Sequence, residues 1–185
     1  MKGGKLLAEG GYGCVFAPGI NCDGSIMKTQ KYVSKIQRYD SSAKNEIKIG
    51  KTIQELSGYE DHFSPILKYC EIDIAQIKDK ESKKCTIFKK KKSKNFIVMK
   101  MPYINGEDFM DYLVNQKNSI QLISNIILSY NHLLKSITML ISKDIIHYDI
   151  KGSNIIFNEN KEIPVLIDFG LSIQKNTINK DNLNY

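Results

Sequence analysis

"DIIHYDIKGSNIIF", residues 144–157, sets Asp149, Lys151 and Asn154 between two apolar runs. Ile145 and Ile146 on one side, and Ile155, Ile156 and Phe157 on the other, read as buried strand. Strand ends of that kind hold polar groups on a rigid floor. In that setting Asp149 can accept a proton from an attacking hydroxyl, and Lys151 can neutralise charge on a phosphoryl group. A second short strand, "PVLIDFG" at 164–170, delivers Asp168 to the same place. Asn154 and Asp168 together offer oxygen ligands for magnesium.

Upstream, "KLLAEGGYGCVFA" at 5–17 reads as two strands joined by a tight glycine turn, and "YVSKIQRY" at 32–39 as a third strand. Ser41 or Ser42 fits an N-cap for a helix whose apolar positions recur at Ile49, Ile53 and Leu56. Two more strands are expected in "PILKYCEIDIAQI" and "NFIVMKMPY", with a lysine-rich solvated loop separating them. "NGEDFMDYL" reads as a loop entering a short helix. "SIQLISNIILSYNHLLKSITMLIS" at 119–142 reads as a long helix that is apolar on nearly every side and so expects packing partners all round. The tail from Gln174 is polar and structureless.

With 185 residues, of which 42% are hydrophobic, the chain can bury one good core or two small lobes. Its 27 basic and 20 acidic residues give a formal charge of +7, which suits a phosphate-bearing partner. Cys14, Cys22, Cys70 and Cys85 form no C-x-x-C pair, and the histidines complete no zinc spacing. They read as reduced, ordinary thiols of an intracellular protein. Neither a signal peptide nor a membrane span is expected.

"AEGGYGCVF" exposes backbone N–H groups with no side chains in the way, as a chain folding closely over phosphates requires. Alone, a glycine cluster is more often a plain hairpin turn. Lys35 shares a strand face with Val33 and so points inward, where its ammonium needs a partner. Glu46 on the following helix can provide one, unless both side chains are exposed and never meet.

Taken together, these segments resemble a protein kinase. The pattern G-x-G-x-x-G-x-V is met from Gly10 through Val15, with Tyr12 at its aromatic tip and Ala8 in place of the first glycine. "YVSK" stands where V-A-I-K is usual, "HYDIKGSN" where H-R-D-L-K-x-x-N is usual, and D-F-G is intact. The resemblance implies an α+β, protein-kinase-like fold. A small β-rich N-lobe with one helix would occupy residues 1–104, and an incomplete, mainly helical C-lobe would occupy residues 105–185.

It further implies ATP and Mg2+ as cofactors and a protein as substrate. Gly10, Gly11, Tyr12 and Gly13 would cover the phosphates, while Lys35, paired with Glu46, would hold two of them. Asp149 would orient and deprotonate the substrate hydroxyl, Lys151 would contact the γ-phosphate, and Asn154 and Asp168 would bind metal. "MKMPYINGEDF" resembles the hinge. Met101 would close the adenine pocket, Pro102 would offer a carbonyl and Ile104 an N–H, and Val15 and Val33 would sandwich the base. Lys151, two residues after the aspartate, together with D-F-G, points to protein kinases of the serine/threonine type rather than to small-molecule kinases.

Tyr148 replaces the arginine that pairs with an activation-loop phosphate, so no dependence on such phosphorylation is expected. After Gly170 no A-P-E follows, and about two-thirds of the family pattern is covered. The chain is therefore expected to be a fragment of a longer kinase, to need a partner chain over the exposed C-lobe helix, or to fold poorly. The alternative is a catalytically silent nucleotide-binding or interaction module. A nucleic-acid role resting on Lys89 to Lys92 ranks below both, so no specific nucleic acid and no membrane partner is expected. The isoleucine, lysine and asparagine usage fits an AT-rich genome, and the expected compartment is the cytoplasm, or the host cytoplasm for a viral protein.

Overall fold

The computed structural model describes residues 5–11, 13–77, 84–89, 95–116 and 119–175. Among them run β1 (Lys5–Glu9), β2 (Gly13–Ala17), β3 (Tyr32–Arg38), α1 (Ser41–Ile53), β4 (Lys68–Ile72), β5 (Phe96–Pro102) and β6 (Gly106–Asp108). Next come α2 (Phe109–Val114), α3 (Ser119–Ile141), β7 (Ile145–Ile146), β8 (Ile155–Asn158), β9 (Ile163–Leu166) and β10 (Ile173–Gln174). The α+β, kinase-like architecture expected from the motifs is present, with a β-rich first part and few helices. The chain divides into two compact units. One comprises Met1–Ile47 and Ile66–Tyr103, and the other Lys48–Pro65 and Ile104–Tyr185.

In the first unit an antiparallel sheet runs in the order β1-β2-β3-β5-β4. Alternation along β3 turns Val33, Lys35 and Gln37 to one face and Ser34 and Ile36 to the other. On the Val33 face, Ile97, Met99 and Met101 of β5 pack with Ala43 and Ile47 of α1. The opposite face, with Phe16, Ile36, Phe96 and Val98, is covered by connections: Ile20 follows β2, Ile77 follows β4, and Ile87 precedes β5. The central strands β2, β3 and β5 are thus largely buried on both faces, while β1 and most of β4 at the edges stay exposed.

Three expectations for this unit are corrected. The cap of α1 is Asp40, whose Oδ1 accepts from the Ala43 N–H at 3.0 Å, and not Ser41 or Ser42. The lysine-rich stretch is not simply a solvated loop, because Cys85 and Ile87 within it are buried against the sheet. The cysteines are not reduced thiols either. The connections laid over the sheet bring Cys85 to a Cα separation of 6.1 Å from Cys14 on β2, and Cys22 to 5.9 Å from Cys70 on β4, and both pairs are disulfide-bonded. The inference of an intracellular protein from unpaired thiols loses its premise.

In the second unit β6, β8 and β9 form one small antiparallel sheet, and β7 pairs with β10. "NGEDF" therefore starts with a strand where a loop was expected. Gly106 is required there, since a Cβ at this position would fall 1.8 Å from the Phe157 carbonyl oxygen. Ile53, Phe63, Leu140, Ile145, Leu166 and Phe169 make the core. Ile146, expected inside, is exposed because the two-residue period that buries Ile145 turns its neighbour outward.

Helix α3 leaves part of its apolar surface uncovered, in line with the exposed C-lobe helix expected above. Its C-terminal part is anchored by Leu140, with Leu133 and Met139 beside it. Further toward the N-terminus Ile120, Ile123, Ile127 and Leu128 are exposed, Ile120 at 82%. No helix among the described residues is long and apolar enough to cross a membrane.

Candidate active site

The first unit carries one group of the residues singled out above. β1 and β2 meet in a glycine turn, where the Gly10 N–H donates to the Gly13 carbonyl at 2.9 Å. Around Gly10 and Gly11 a Cβ would meet nothing within 4 Å, so their backbone is open to close approach. Gly13 is different. A Cβ there would lie 2.6 Å from the Ile36 carbonyl oxygen, so the neighbouring strand itself demands glycine. Tyr12 lies outside the described residues.

One strand further in, Lys35 stands opposite Val15 and Met99. Its Nζ donates to both carboxylate oxygens of Glu46, at 3.1 and 2.9 Å. Lys35 is 13% exposed and Glu46 2%, so each needs the other to offset lost hydration. The bidentate contact also fixes where the ammonium points. Val33 and Met101 are buried on the same face, and Pro102 pairs with Tyr32 at the end of β5. Ile104, which belongs to the second unit, lies in an irregular stretch and is half-buried.

The second unit carries the other group. Lys151 Nζ donates to Asp149 Oδ2 at 2.9 Å, and Asn154 Nδ2 donates to the same oxygen at 2.8 Å and to the Asp149 carbonyl at 2.9 Å. A single turn at Gly152–Asn154 makes this possible, and there the Asn154 N–H donates to the Lys151 carbonyl at 2.9 Å. The hydrogen bond from Lys151, followed by that from Asn154, holds the Asp149 carboxyl below its ordinary pKa. It is ionised across the neutral range.

Asp168 follows β9 with φ 58°, a left-handed conformation that aspartate tolerates better than most residues. Its Oδ1 faces the Gly170 N–H at 3.4 Å. With Asn154 Nδ2 committed to Asp149, the amide oxygen of Asn154 is the atom left to serve as a ligand. That oxygen and the exposed Asp168 carboxylate make a hard, all-oxygen donor set of the kind magnesium takes.

His147 belongs to this site although its role was not read from the sequence. It is buried, and its Nε2 donates to the Ile167 carbonyl at 3.1 Å. Its Nδ1 faces the Asp149 N–H at 3.4 Å, which fixes the neutral tautomer with hydrogen on Nε2. Burial depresses its pKa. The ring also packs on Phe169, with centroids 4.8 Å apart, so it ties the Asp149 loop to the segment carrying Asp168. The signal was available, because the alternation that buries Ile145 places His147 on the same inward face. Tyr148, by contrast, has φ 65° and is 72% exposed.

A strained loop thus presents an ionised, amide-held aspartate next to a segment ending in D-F-G. The family model for the protein kinase domain matches residues 2–184, and the chain belongs to the protein kinase family. It is similar to the dual specificity protein kinase zakA of Dictyostelium discoideum, 37% identical over 82 residues, 44% of this chain and 10% of that protein. A probable serine/threonine-protein kinase of the same organism is 34% identical over 131 residues, 62% of this chain and 19% of its own length. Mitogen-activated protein kinase kinase kinase 8 of Rattus norvegicus is 56% identical over 43 residues, 23% of this chain and 9% of its own. The chain thus spans less than a fifth of the length of each of these relatives.

Proposed function

We propose that the chain carries the nucleotide-binding and phosphoryl-transfer machinery of an ATP- and magnesium-dependent serine/threonine protein kinase. The observation that carries this reading is Asp149, a carboxylate held ionised by Lys151 and Asn154 at one oxygen. A carboxylate this acidic is a weak base toward a resting hydroxyl. It serves by accepting the hydroxyl's hydrogen bond, aiming the oxygen, and taking the proton as the forming O–P bond acidifies it.

In the same reading the ammonium of Lys35, fixed by Glu46, holds two nucleotide phosphates beneath the turn that Gly10, Gly11 and Gly13 form. Val15, Val33 and Met101 give apolar surface to the base, and the Pro102 carbonyl and Ile104 N–H match its donor and acceptor edge. Lys151 exchanges its contact with Asp149 for the γ-phosphate. Asn154 and Asp168 would hold magnesium, which supplies charge neutralisation on the phosphates when bound. Lys151 in this register, together with one of the relatives' names, supports serine and threonine as acceptors.

The test is transfer of labelled γ-phosphate to a generic acceptor protein, with the phosphorylated amino acid identified afterwards. Asp149→Asn keeps the shape and the hydrogen bonds of the loop but cannot take the proton, so the rate is expected to fall by about 10²–10⁴-fold. Label on phosphotyrosine alone, or equal rates for the two proteins, would overturn the reading.

A further inference from the structure

Across the first unit's sheet, Cys14 stands opposite Ile36, Ile36 opposite Val98, and Val98 opposite Cys70. A single row thus crosses β2, β3, β5 and β4 with a cysteine at each end, roughly 14 Å apart at the usual strand spacing. Each end is tied to a connection lying over that face. Cys14 is bonded to Cys85 from the stretch leading into β5, and Cys70 to Cys22 from the β2–β3 connection.

The two bridges differ in access. Cys14 and Cys85 are both fully buried in the cluster that includes Phe16, Ile87 and Phe96. Cys22 is exposed and Cys70 half-buried. They also differ in what they hold. The buried bridge begins at the residue after Gly13, and beside it the Thr86 N–H donates to the Glu9 carboxylate at 2.7 Å, as does the Thr86 hydroxyl. Glu9 closes β1, so one segment grips both strands of the glycine hairpin. The β2–β3 connection has other ties, including the Ile20 N–H to Ser34 Oγ at 2.7 Å and the Met27 N–H to the Gly19 carbonyl at 2.7 Å.

We propose that the two bridges form a sequential thiol-modification site. A low-molecular-weight thiol of the glutathione class opens the exposed Cys22–Cys70 bridge first, and Cys14–Cys85 yields only when the covering layer lifts, freeing the glycine hairpin. In the first step the small thiolate attacks Cys22 Sγ, the S–S bond breaks, and Cys70 leaves as a thiolate that takes a proton. A second small thiol attacks the mixed disulfide, so that two small thiols end as one disulfide while one protein disulfide ends as two thiols. The second bridge follows the same chemistry, but its rate is set by local opening. Glu9, Cys14 and Cys85 do hold ligand atoms within 4.8 Å of one another, yet bridged sulfurs are not thiolate ligands.

The experiment uses the full chain, purified without reductant under an alkylating trap, then exposed to reduced glutathione, quenched with a second alkylating reagent and mapped by peptide mass spectrometry. Cys22 and Cys70 are expected to label at least about tenfold faster than Cys14 and Cys85 in the native protein, and all four at similar rates in denaturant. Equal native rates, reversal of the order, four free thiols in the trapped protein, or stoichiometric zinc on Cys14 and Cys85 would each overturn the proposal. The consequence for the hairpin rests on the nucleotide-binding reading and has its own readout, the affinity for a fluorescent ATP analogue. Affinity should survive opening of Cys22–Cys70, and the Cys22→Ser, Cys70→Ser double variant, but fall severalfold once Cys14–Cys85 opens. Equal affinity in all redox states overturns that consequence, whereas no binding in any state sinks the nucleotide reading and leaves the labelling order to decide the thiol site.

Discussion

The sheet of the first unit and helix α3 of the second are both rich in isoleucine and leucine, yet they treat that apolar surface in opposite ways. The sheet is covered on both faces, by α1 on one and by bridged connections on the other. The helix buries only Ser129, Ser136 and Leu140, and Ile120, Ile123, Ile126, Ile127 and Leu128 present apolar side chains to solvent. Hydrophobic content alone therefore does not tell how firmly an element is held. What matters is whether the rest of the chain reaches over it, and local stability should follow coverage rather than composition.

The comparison is attacked hardest at the buried ion pair. Glu46→Ala leaves the Lys35 ammonium without its carboxylate on the covered face, and a loss of about 3–5 kcal/mol is expected in denaturant melts. A loss below 1 kcal/mol would mean the face is wetter than its burial suggests. Next is Leu140→Ala, which opens a cavity where α3 is anchored and should cost about 2–5 kcal/mol. Ile120→Ser, on the open stretch of the same helix, should change stability by no more than about 0.5 kcal/mol. Amide hydrogen exchange should show the same gradient, fast over residues 119–128 and slow over residues 133–141. Uniform protection along α3 would erase the contrast.

Acid should act on the second unit. His62 and His132 stack with centroids 4.2 Å apart, His132 Nε2 donates to the Asp61 carbonyl at 3.0 Å, and His62 Nδ1 meets Ser136 Oγ at 2.8 Å. Asp61 itself pairs with Lys161, and Lys135 lies close enough to oppose protonation. Burial, reinforced at His62 by its stacked neighbour, depresses both values below 6.5, as burial does at His147. The unfolded chain then binds more protons than the folded one. Stability should fall as pH drops through the region near 6.5 and level off below the folded values. Thermal melts at several pH values check this, and His62→Asn should flatten the profile.

Much of this arrangement was legible in the sequence because its signals are local. The two-residue alternation in "YVSKIQRY" placed Lys35 and Val33 on one face, and the two- and five-residue offsets from Asp149 to Lys151 and Asn154 marked the loop that binds the three together. The cysteines resisted reading because their partners are 71 and 48 residues away, and the row from Cys14 to Cys70 exists only once four strands are in register. His147 was hidden by its setting, a polar residue beside a chemically louder aspartate. The exposed side of α3 was foreseeable from its all-round apolar pattern, but the identity of its anchored end was not, since that depends on where Phe63 and Leu166 arrive.

The glycine turn holds two kinds of constraint within four residues. Gly13 is dictated by the polypeptide itself, because an added methyl group would strike the adjoining strand. Gly10 and Gly11 face empty space, so an alanine there should pass unnoticed in a melting curve. If such an exchange still abolished function, the intolerance would have to come from whatever molecule comes to rest against that backbone. A pair of alanine variants would thus separate what the protein needs for its own architecture from what it keeps clear for a guest.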